Sequence, residues 1–273
     1  MCWLEGQRSD RRFNQRYKKS VMVDDKKPAF WIVTGAASGI GAAVVRQVSQ
    51  SGAKVLALDV DDQKGLALAG ETGATYRHCD ISDQAQWHQL VEFLLASKAE
   101  LGSPTNIHLN AGIQAAPPEA PLTEYQLEAV SIDRYRRMMG VNVDGIVFGL
   151  QSLLPLLSSG AAIVVTASLA GVTPYAIDPL YAMSKHAVVG LVRSLGPDLA
   201  ARGIGIHALC PGAVDTAIIP EAQKTAEARF MPPEMLAQDV IELMQEPELG
   251  KSWIRLNEAR PRYITRALGD KQR

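Results

Sequence analysis

Apolar positions along the chain gather into short β-branched or aliphatic runs separated by stretches of helical length. Phe30–Thr34, Lys54–Asp59, Thr75–Cys79, Ile107–Asn110, Ala161–Ala167 and Ile204–Cys210 read as strands. Several of these runs are continuously apolar, as a strand buried on both faces requires, and the intervals between them are long enough for crossover helices. The pattern predicts successive βαβ units. Right-handed crossovers would wind them into one doubly wound parallel α/β sheet with helices on both faces, its ligand crevice beyond the carboxyl ends of the strands. Trp253–Leu256 is a candidate last strand. No repeat, low-complexity block or Pro/Gly linker divides residues 29–256, so a single domain spanning 29–257 is expected. Residues 213–233 lack a clean period and hold Pro220, Pro232 and Pro233, which suggests a lid after a strand end.

The ends of the chain differ from this core. Residues 1–28 carry eight Lys/Arg against four Asp/Glu with sparse, aperiodic apolar positions, and read as a mobile extension. They contain no apolar run before a small-residue cleavage site, so no secretory signal is expected, and Met22 is an alternative start. Residues 258–273 read as a basic C-terminal tail. The uncharged run from Gly145 to Ile177 has the length of a membrane span, but Pro155 and Ser158-Ser159-Gly160 break it. It reads instead as helix, turn and buried strand, and no membrane contact is expected.

Charge and cysteine content narrow the function classes. A net charge of −1 supplies no global field for nucleic acid or an anionic membrane, which leaves small molecules as the expected partners. Cys2, Cys79 and Cys210 are widely spaced and form no Cys-x-x-Cys pair, so neither a metal site nor a disulfide framework is expected. A reducing, cytoplasmic setting follows as an expectation.

The first strand runs directly into Thr34-Gly35-Ala36-Ala37-Ser38-Gly39-Ile40-Gly41 and then a helix-like segment. A glycine-rich turn there lets the backbone approach a pyrophosphate, which the free N–H groups and positive end of the helix can hold. By itself the spacing also fits a plain strand-to-helix turn. The second strand ends at Asp59, eighteen residues beyond Gly41, where a carboxylate can accept from the adenosine ribose hydroxyls. The same charge would repel a 2′-phosphate, which favours NAD over NADP; the alternative for Asp59 is a helix N-cap. Asp80-Ile81 and Asn110-Ala111-Gly112 close the third and fourth strands, the first able to accept from the adenine amino group and the second small enough to pass close to the ribose.

Tyr181 and Lys185 stand at i and i+4, hence on one helix face. A phenol that titrates near 10 needs a fall of roughly 3 units, about 4 kcal/mol, to serve as a base at neutral pH. A cation at about 4 Å and an effective dielectric near 20 supplies that order of energy. Ser168, just past an apolar strand, could donate to a developing alkoxide. Asn142 is awkward inside a helix unless its side chain has work there, such as holding a buried water. Ile113, Leu169, Val172, Tyr175 and Ile218 suggest an apolar pocket wall.

Taken in chain order, these residues resemble the short-chain dehydrogenase/reductase family over about residues 29–220. The resemblance rests on T-G-x-x-x-G-I-G at Thr34–Gly41, the acidic Asp59, D-I at Asp80-Ile81, N-A-G at Asn110–Gly112, and Asn142, Ser168, Tyr181 and Lys185. Pro211-Gly212 and the following Thr216 complete it. It implies a single-domain Rossmann-like fold and an NAD-dependent oxidoreductase that moves a hydride between the cofactor and an alcohol or ketone. Asn142, Ser168, Tyr181 and Lys185 would then be catalytic. Gly35, Ser38, Gly39, Ile40, Gly41, Asp59, Asp80, Ile81, Asn110, Ala111, Gly112, Tyr181, Lys185, Pro211, Gly212, Val214 and Thr216 would bind cofactor, with Val214 and Thr216 at the nicotinamide carboxamide. It also implies a homo-oligomer, a dimer or tetramer, through the helices around Asn142 and Tyr181. The apolar positions Val147, Leu150, Val188 and Leu191 are expected on their outer faces. The segment after Trp253-Ile254-Arg255-Leu256-Asn257 departs from the family's paired glycines. The alternative is a catalytically silent NAD(H)-binding regulator on the same fold.

Overall fold

The computed structural model describes residues 29–247 and 249–265, so the N-terminal extension and most of the tail lie outside the described residues. Six consecutive parallel strands follow the expected runs within a residue or two: β1 (Phe30–Thr34), β2 (Lys54–Asp59), β3 (Thr75–His78), β4 (Asn106–Leu109), β5 (Ala162–Thr166) and β6 (Gly205–Pro211). A seventh, β7 (Lys251–Arg255), pairs parallel with β6, with Leu209 opposite Trp253. The order β3-β2-β1-β4-β5-β6-β7, with β8 (Tyr263–Ile264) beyond β7, reverses direction between β1 and β4, which opens the crevice at that seam.

Helices cover both faces: α1 (Gly39–Gln50), α2 (Asp62–Thr72), α3 (Gln84–Ala96), a short α4 (Lys98–Leu101), α5 (Ile132–Met139), α6 (Gly145–Leu153), α7 (Pro179–Ala201) and α8 (Pro233–Leu243). The sheet alternates its side chains between two apolar layers. Ile32, Leu56, Ile107 and Ile163 point into one, with Trp87 and Val188; Val33, Val55 and Val164 point into the other, with Val44 and Val240. Burial of both faces explains why β1 and β5 are apolar at nearly every position. The uncharged run from Gly145 to Ile177 resolves into α6, a turn and β5, the last fully buried in the sheet. The helical stretch Ile132–Leu156 is long and apolar enough to cross a membrane by length and composition, and about a third of its most apolar window is buried inside the molecule.

Two expectations are corrected here. Leu150 and Val188 are not on outer helix faces: they are 4% and 0% exposed, within the core beneath the sheet. Each sits on the inward stripe of its helix, so neither argues for a subunit contact. The expected tail also turns back, because Tyr263–Ile264 form β8, antiparallel to β7.

Asp239 on α8 anchors that return. Its carboxylate is almost fully buried and accepts a two-pronged bond from Arg255 at 2.6 and 2.5 Å and a further one from Arg262 at 3.3 Å. Arg262 also reaches Glu242 and lies 5.6 Å over the Trp253 ring. Removing the shared acceptor leaves Arg255 with only the Arg260 carbonyl and Arg262 with only Glu242 in a largely buried setting. Asp239→Ala is therefore expected to cost about 3–5 kcal/mol of stability, read by urea unfolding. An unchanged midpoint would show that the cluster is solvated.

Candidate active site

The glycine-rich segment turns between β1 and α1 because two of its residues adopt left-handed backbone, Gly35 at φ 60° and Gly39 at φ 52°. A Cβ on Gly35 would meet the Ala111 backbone at 2.7 Å, and one on Gly41 would strike the Gly35 carbonyl at 2.1 Å. Gly41 thus seats the helix against the turn and does not itself line the cleft. Ser38, the N-cap, makes no side-chain cap bond, and the first turn of α1 holds no acidic residue. Its hydroxyl and the free N–H groups there suit an anionic group.

Asp59 faces that turn. Oδ2 accepts from the Ala37 N–H at 2.8 Å, while Oδ1 accepts from Val60 and Asp61 at 2.7 and 3.0 Å. The N-cap of α2 is Asp61, so the capping alternative for Asp59 fails. Three backbone bonds fix the carboxylate and leave roughly one of its about four acceptor sites open. Asp80 accepts from both the N–H and the hydroxyl of Ser82 through one oxygen.

A buried polar chain ties the seam together. Thr34 Oγ1 accepts from the Asn110 and Ala111 N–H groups, and Asn110 Nδ2 donates to the Gly35 carbonyl at 3.2 Å. Thr166 donates its hydroxyl to Asn110 Oδ1 at 3.1 Å and lies 2.8 Å from the ring nitrogen of His108. Burial keeps that imidazole neutral, pulling its pKa down to about 3.

The N-terminus of α7 is set by Asp178 and Pro179, a preferred cap followed by proline at the first helical position. One Asp178 oxygen accepts from the Tyr181 N–H and the other from the Ala115 N–H, both at 2.8 Å. This residue aligns the helix carrying Tyr181 with the loop after β4. Asp-Pro is a readable helix start, yet nothing local shows that its second oxygen bridges to residue 115.

Lys185 is 2% exposed and donates from Nζ to the Thr166 carbonyl at 3.0 Å. Tyr181 sits one turn earlier with its ring centroid 5.6 Å from that ammonium. Their titration departs from the expectation. Burial pushes the Tyr181 phenol up, well above its ordinary range; the Ser168 hydroxyl bonded to it opposes this without reversing it. Burial also lowers Lys185, to about 8. In the protein alone, loss of water is the leading influence on each, and both groups shift toward their neutral forms.

Asn142 is also corrected. Residues Gly140–Asp144 form a π-helical turn between α5 and α6, and the Asn142 side chain is fully buried there. Both its amide hydrogens are spent, on the Ile113 carbonyl at 2.8 Å and Ser184 Oγ at 3.0 Å, and its oxygen accepts from the Ile113 N–H. It braces the loop after β4 and does not line the cleft, so its side chain has no donor left for the expected water.

The remaining expected residues converge on one cavity of about 820 Å³. Its wall includes Gly35, Ser38, Gly39, Ile40, Asp59, Asp80, Ile81, Asn110, Ala111 and Gly112. Ser168, Tyr181, Lys185, Pro211, Gly212, Val214 and Thr216 line it as well. Ile113, Leu169, Tyr175 and Ile218 line it too, whereas Val172 packs into the core beneath the sheet. Thr166, Gln114, Arg137 and Gln223 also face the cavity; sequence reasoning missed them because none sits in a recognisable local motif. The segment from 213 to 233 leaves β6 and returns through paired bonds between Ala213, Met231 and Asp215, a closed loop over one side of the cavity. Among the described residues no cluster of three or more metal-ligating side chains occurs.

A family model for the short chain dehydrogenase matches residues 30–227. The chain belongs to the short-chain dehydrogenase family. This short-chain dehydrogenase is 38% identical over 196 residues to a 2,5-dichloro-2,5-cyclohexadiene-1,4-diol dehydrogenase of Sphingobium indicum, covering 70% of the chain and 74% of the relative. It is 30% identical to a mitochondrial borneol dehydrogenase of Lavandula x intermedia, covering 68% and 69%. Among solved structures it resembles a 3-ketoacyl-(acyl-carrier-protein) reductase from Brucella melitensis complexed with NADH. That match has a TM-score of 0.72 and 26% identity, over 84% of this chain and 96% of that one. It also resembles BdcA in complex with NADPH, with a TM-score of 0.70, 26% identity, and coverage of 84% and 92%.

Proposed function

We propose that this short-chain dehydrogenase, an oxidoreductase of CH–OH groups, uses NAD to interconvert a secondary alcohol and its ketone. The observation that carries this is the convergence of Ser168, Tyr181 and Lys185 on the same cavity as the glycine turn and Asp59. The left-handed turn, the free Ser38 hydroxyl and the length of the crevice fit a dinucleotide lying across the seam from Asp59 to Lys185. The bound dinucleotide supplies the hydride chemistry and, when oxidised, a positive charge near the phenol.

The protein residues then divide the remaining work. Ser168 donates its hydroxyl to the substrate oxygen and holds it beside Tyr181. The neutral phenol gives its proton to the developing alkoxide in reduction and takes it back in oxidation. Lys185, anchored on the Thr166 carbonyl, offers a charge that favours phenolate once the site is loaded, and a donor for the nicotinamide ribose. Asn142 and Asp178 keep the loop after β4 in register with α7. Because oxidation needs the phenol ionised and burial disfavours that, oxidation should accelerate as pH rises while reduction slows.

Cofactor choice rests on Asp59. Lys64, a nearby cation, pairs with Asp61 at 2.8 Å. A carboxylate within about 4 Å of that phosphate costs about 1–4 kcal/mol, depending on the local dielectric. Calorimetry is expected to give tighter binding of NAD than NADP, and Asp59→Ala to reduce the gap by about tenfold or more. Equal affinities in the wild type would show that the carboxylate does not meet the ribose.

A further inference from the structure

The donors and acceptors of the buried chain at the seam can be assigned in only one direction. A carbonyl cannot donate, so the Asn110 amide must turn Nδ2 toward the Gly35 carbonyl, 3.2 Å away, and Oδ1 toward Thr166. Thr166 Oγ1 then gives its single proton to that Oδ1, at 3.1 Å. Only acceptor capacity is left on the hydroxyl, so His108 Nε2, 2.8 Å away, has to donate to it. The imidazole is thereby held as the neutral Nε2–H tautomer. Its Nδ1 stays buried with no hydrogen-bond partner among the described residues.

An orphaned buried nitrogen costs stability, and native proteins leave few of them. His108 stands between Val33 and Val164 in the sheet, and Thr166 follows Val164 two residues on, hence on the same face. Apolar side chains at 108 and 166 would fill this layer without any such cost. What the polar pair controls lies at its two ends. At one end Asn110 Nδ2 occupies the space that a side chain on Gly41 would need, 2.9 Å from where its Cβ would stand, and so keys the loop after β4 to the start of α1. At the other end the Thr166 carbonyl accepts from Lys185 Nζ at 3.0 Å. One residue of β5 holds the ammonium with its backbone and the glycine turn with its side chain.

We propose that Thr166 is a positioning residue for the cofactor: its hydroxyl, aimed by His108, fixes the Asn110 amide and with it the glycine turn, while its carbonyl sets Lys185. This rests on the reading of the crevice as a dinucleotide site. The two functions are separable, because a substitution that removes the hydroxyl leaves the carbonyl in place. Loss of the hydroxyl acts on the ground-state grip on the dinucleotide, not on proton exchange at Tyr181.

Thr166→Val keeps the shape of the side chain and the bond to Lys185. Calorimetry is expected to show NAD binding weakened about tenfold, and kinetics a matching rise in KM for NAD with kcat changed less than about threefold. Thr166→Ser should bind NAD as wild type does. Thr166→Val also strands the Nε2–H of His108, so it should melt below wild type. The double variant Thr166→Val with His108→Leu removes that donor and should recover the melting temperature, since replacing both partners by apolar groups is nearly neutral. Its NAD binding should stay weak, because Asn110 still lacks a donor. If affinity returns together with stability, or if Thr166→Val binds NAD like wild type, Thr166 only packs and the proposal falls. Nitrogen NMR of the His108 ring needs no variant: it should show the proton on Nε2 at pH 7, and an Nδ1–H tautomer or an imidazolium overturns the assigned direction. A wild type that binds no NAD counts against the dinucleotide reading itself.

Discussion

Tyr181→Phe is expected to lower turnover by about 10²–10⁴-fold while leaving NAD affinity nearly unchanged. The substitution removes one oxygen and keeps the ring, which packs with Ala115, Met138, Ala170 and Ala182 in a small apolar cluster. The cap from Asp178 binds the backbone N–H of residue 181 and survives the change, so the helix should stay in place. What disappears is the hydroxyl that bonds Ser168 in the cleft and can exchange a proton with substrate oxygen. Steady-state kinetics on a verified alcohol, with NAD affinity measured separately, check both halves. Near wild-type turnover would show that the base is elsewhere. Binding of NAD by a wild-type protein that turns over nothing in a broad panel would instead favour the silent regulator.

Lys185→Met should weaken NAD binding, cost at least as much turnover, and stabilise the fold at neutral pH. The sign follows from the two states. In the unfolded chain the ammonium has its ordinary pKa of 10.5, while in the fold burial lowers it to about 8. Between those values the unfolded chain binds more protons, so stability gains from this group as pH rises through the window. Below about 8 the fold bears the full net penalty of the buried charge, about 3 kcal/mol. Methionine removes the charge at similar volume. The variant should melt above wild type at pH 7, and the gap should narrow by pH 9.5, short of the range where the raised Tyr181 adds an opposing slope. A lower melting temperature at pH 7 would show that the Thr166 bond outweighs desolvation. The higher melting temperature expected of the variant would make Lys185 a case of stability given up for a charge that acts only when the site is loaded.

Much of this was legible without coordinates because it is local. Consecutive apolar residues mark strands buried on two faces, which is why β1, β2 and β5 fall where the runs lie. Glycines at 35 and 39 mark a turn only they can make easily, and the i, i+4 spacing of Tyr181 and Lys185 sets them on one face of α7. The chain order of Asp59, Ser168, Tyr181 and Lys185 on an α/β pattern then sufficed to name a family and its chemistry.

What only the tertiary structure decided depends on partners far apart in sequence. Leu150 and Val188 are interior because their helices rotate those positions onto the sheet, which the spacing of apolar residues on an amphipathic helix cannot distinguish from an outer seam. Asn142 braces Ile113 across 29 residues, and Asp178 bridges 63 residues to Ala115. The expected ionisation of Tyr181 inverted for the same reason. Helical spacing sets how near an ammonium stands, but the loss of water around both groups is set by β5, β6 and the loop after β4 closing over them. In this cleft burial is the leading influence on both groups and pushes each toward its neutral form, so sequence determined which groups meet and tertiary packing determined the protonation state in which they wait.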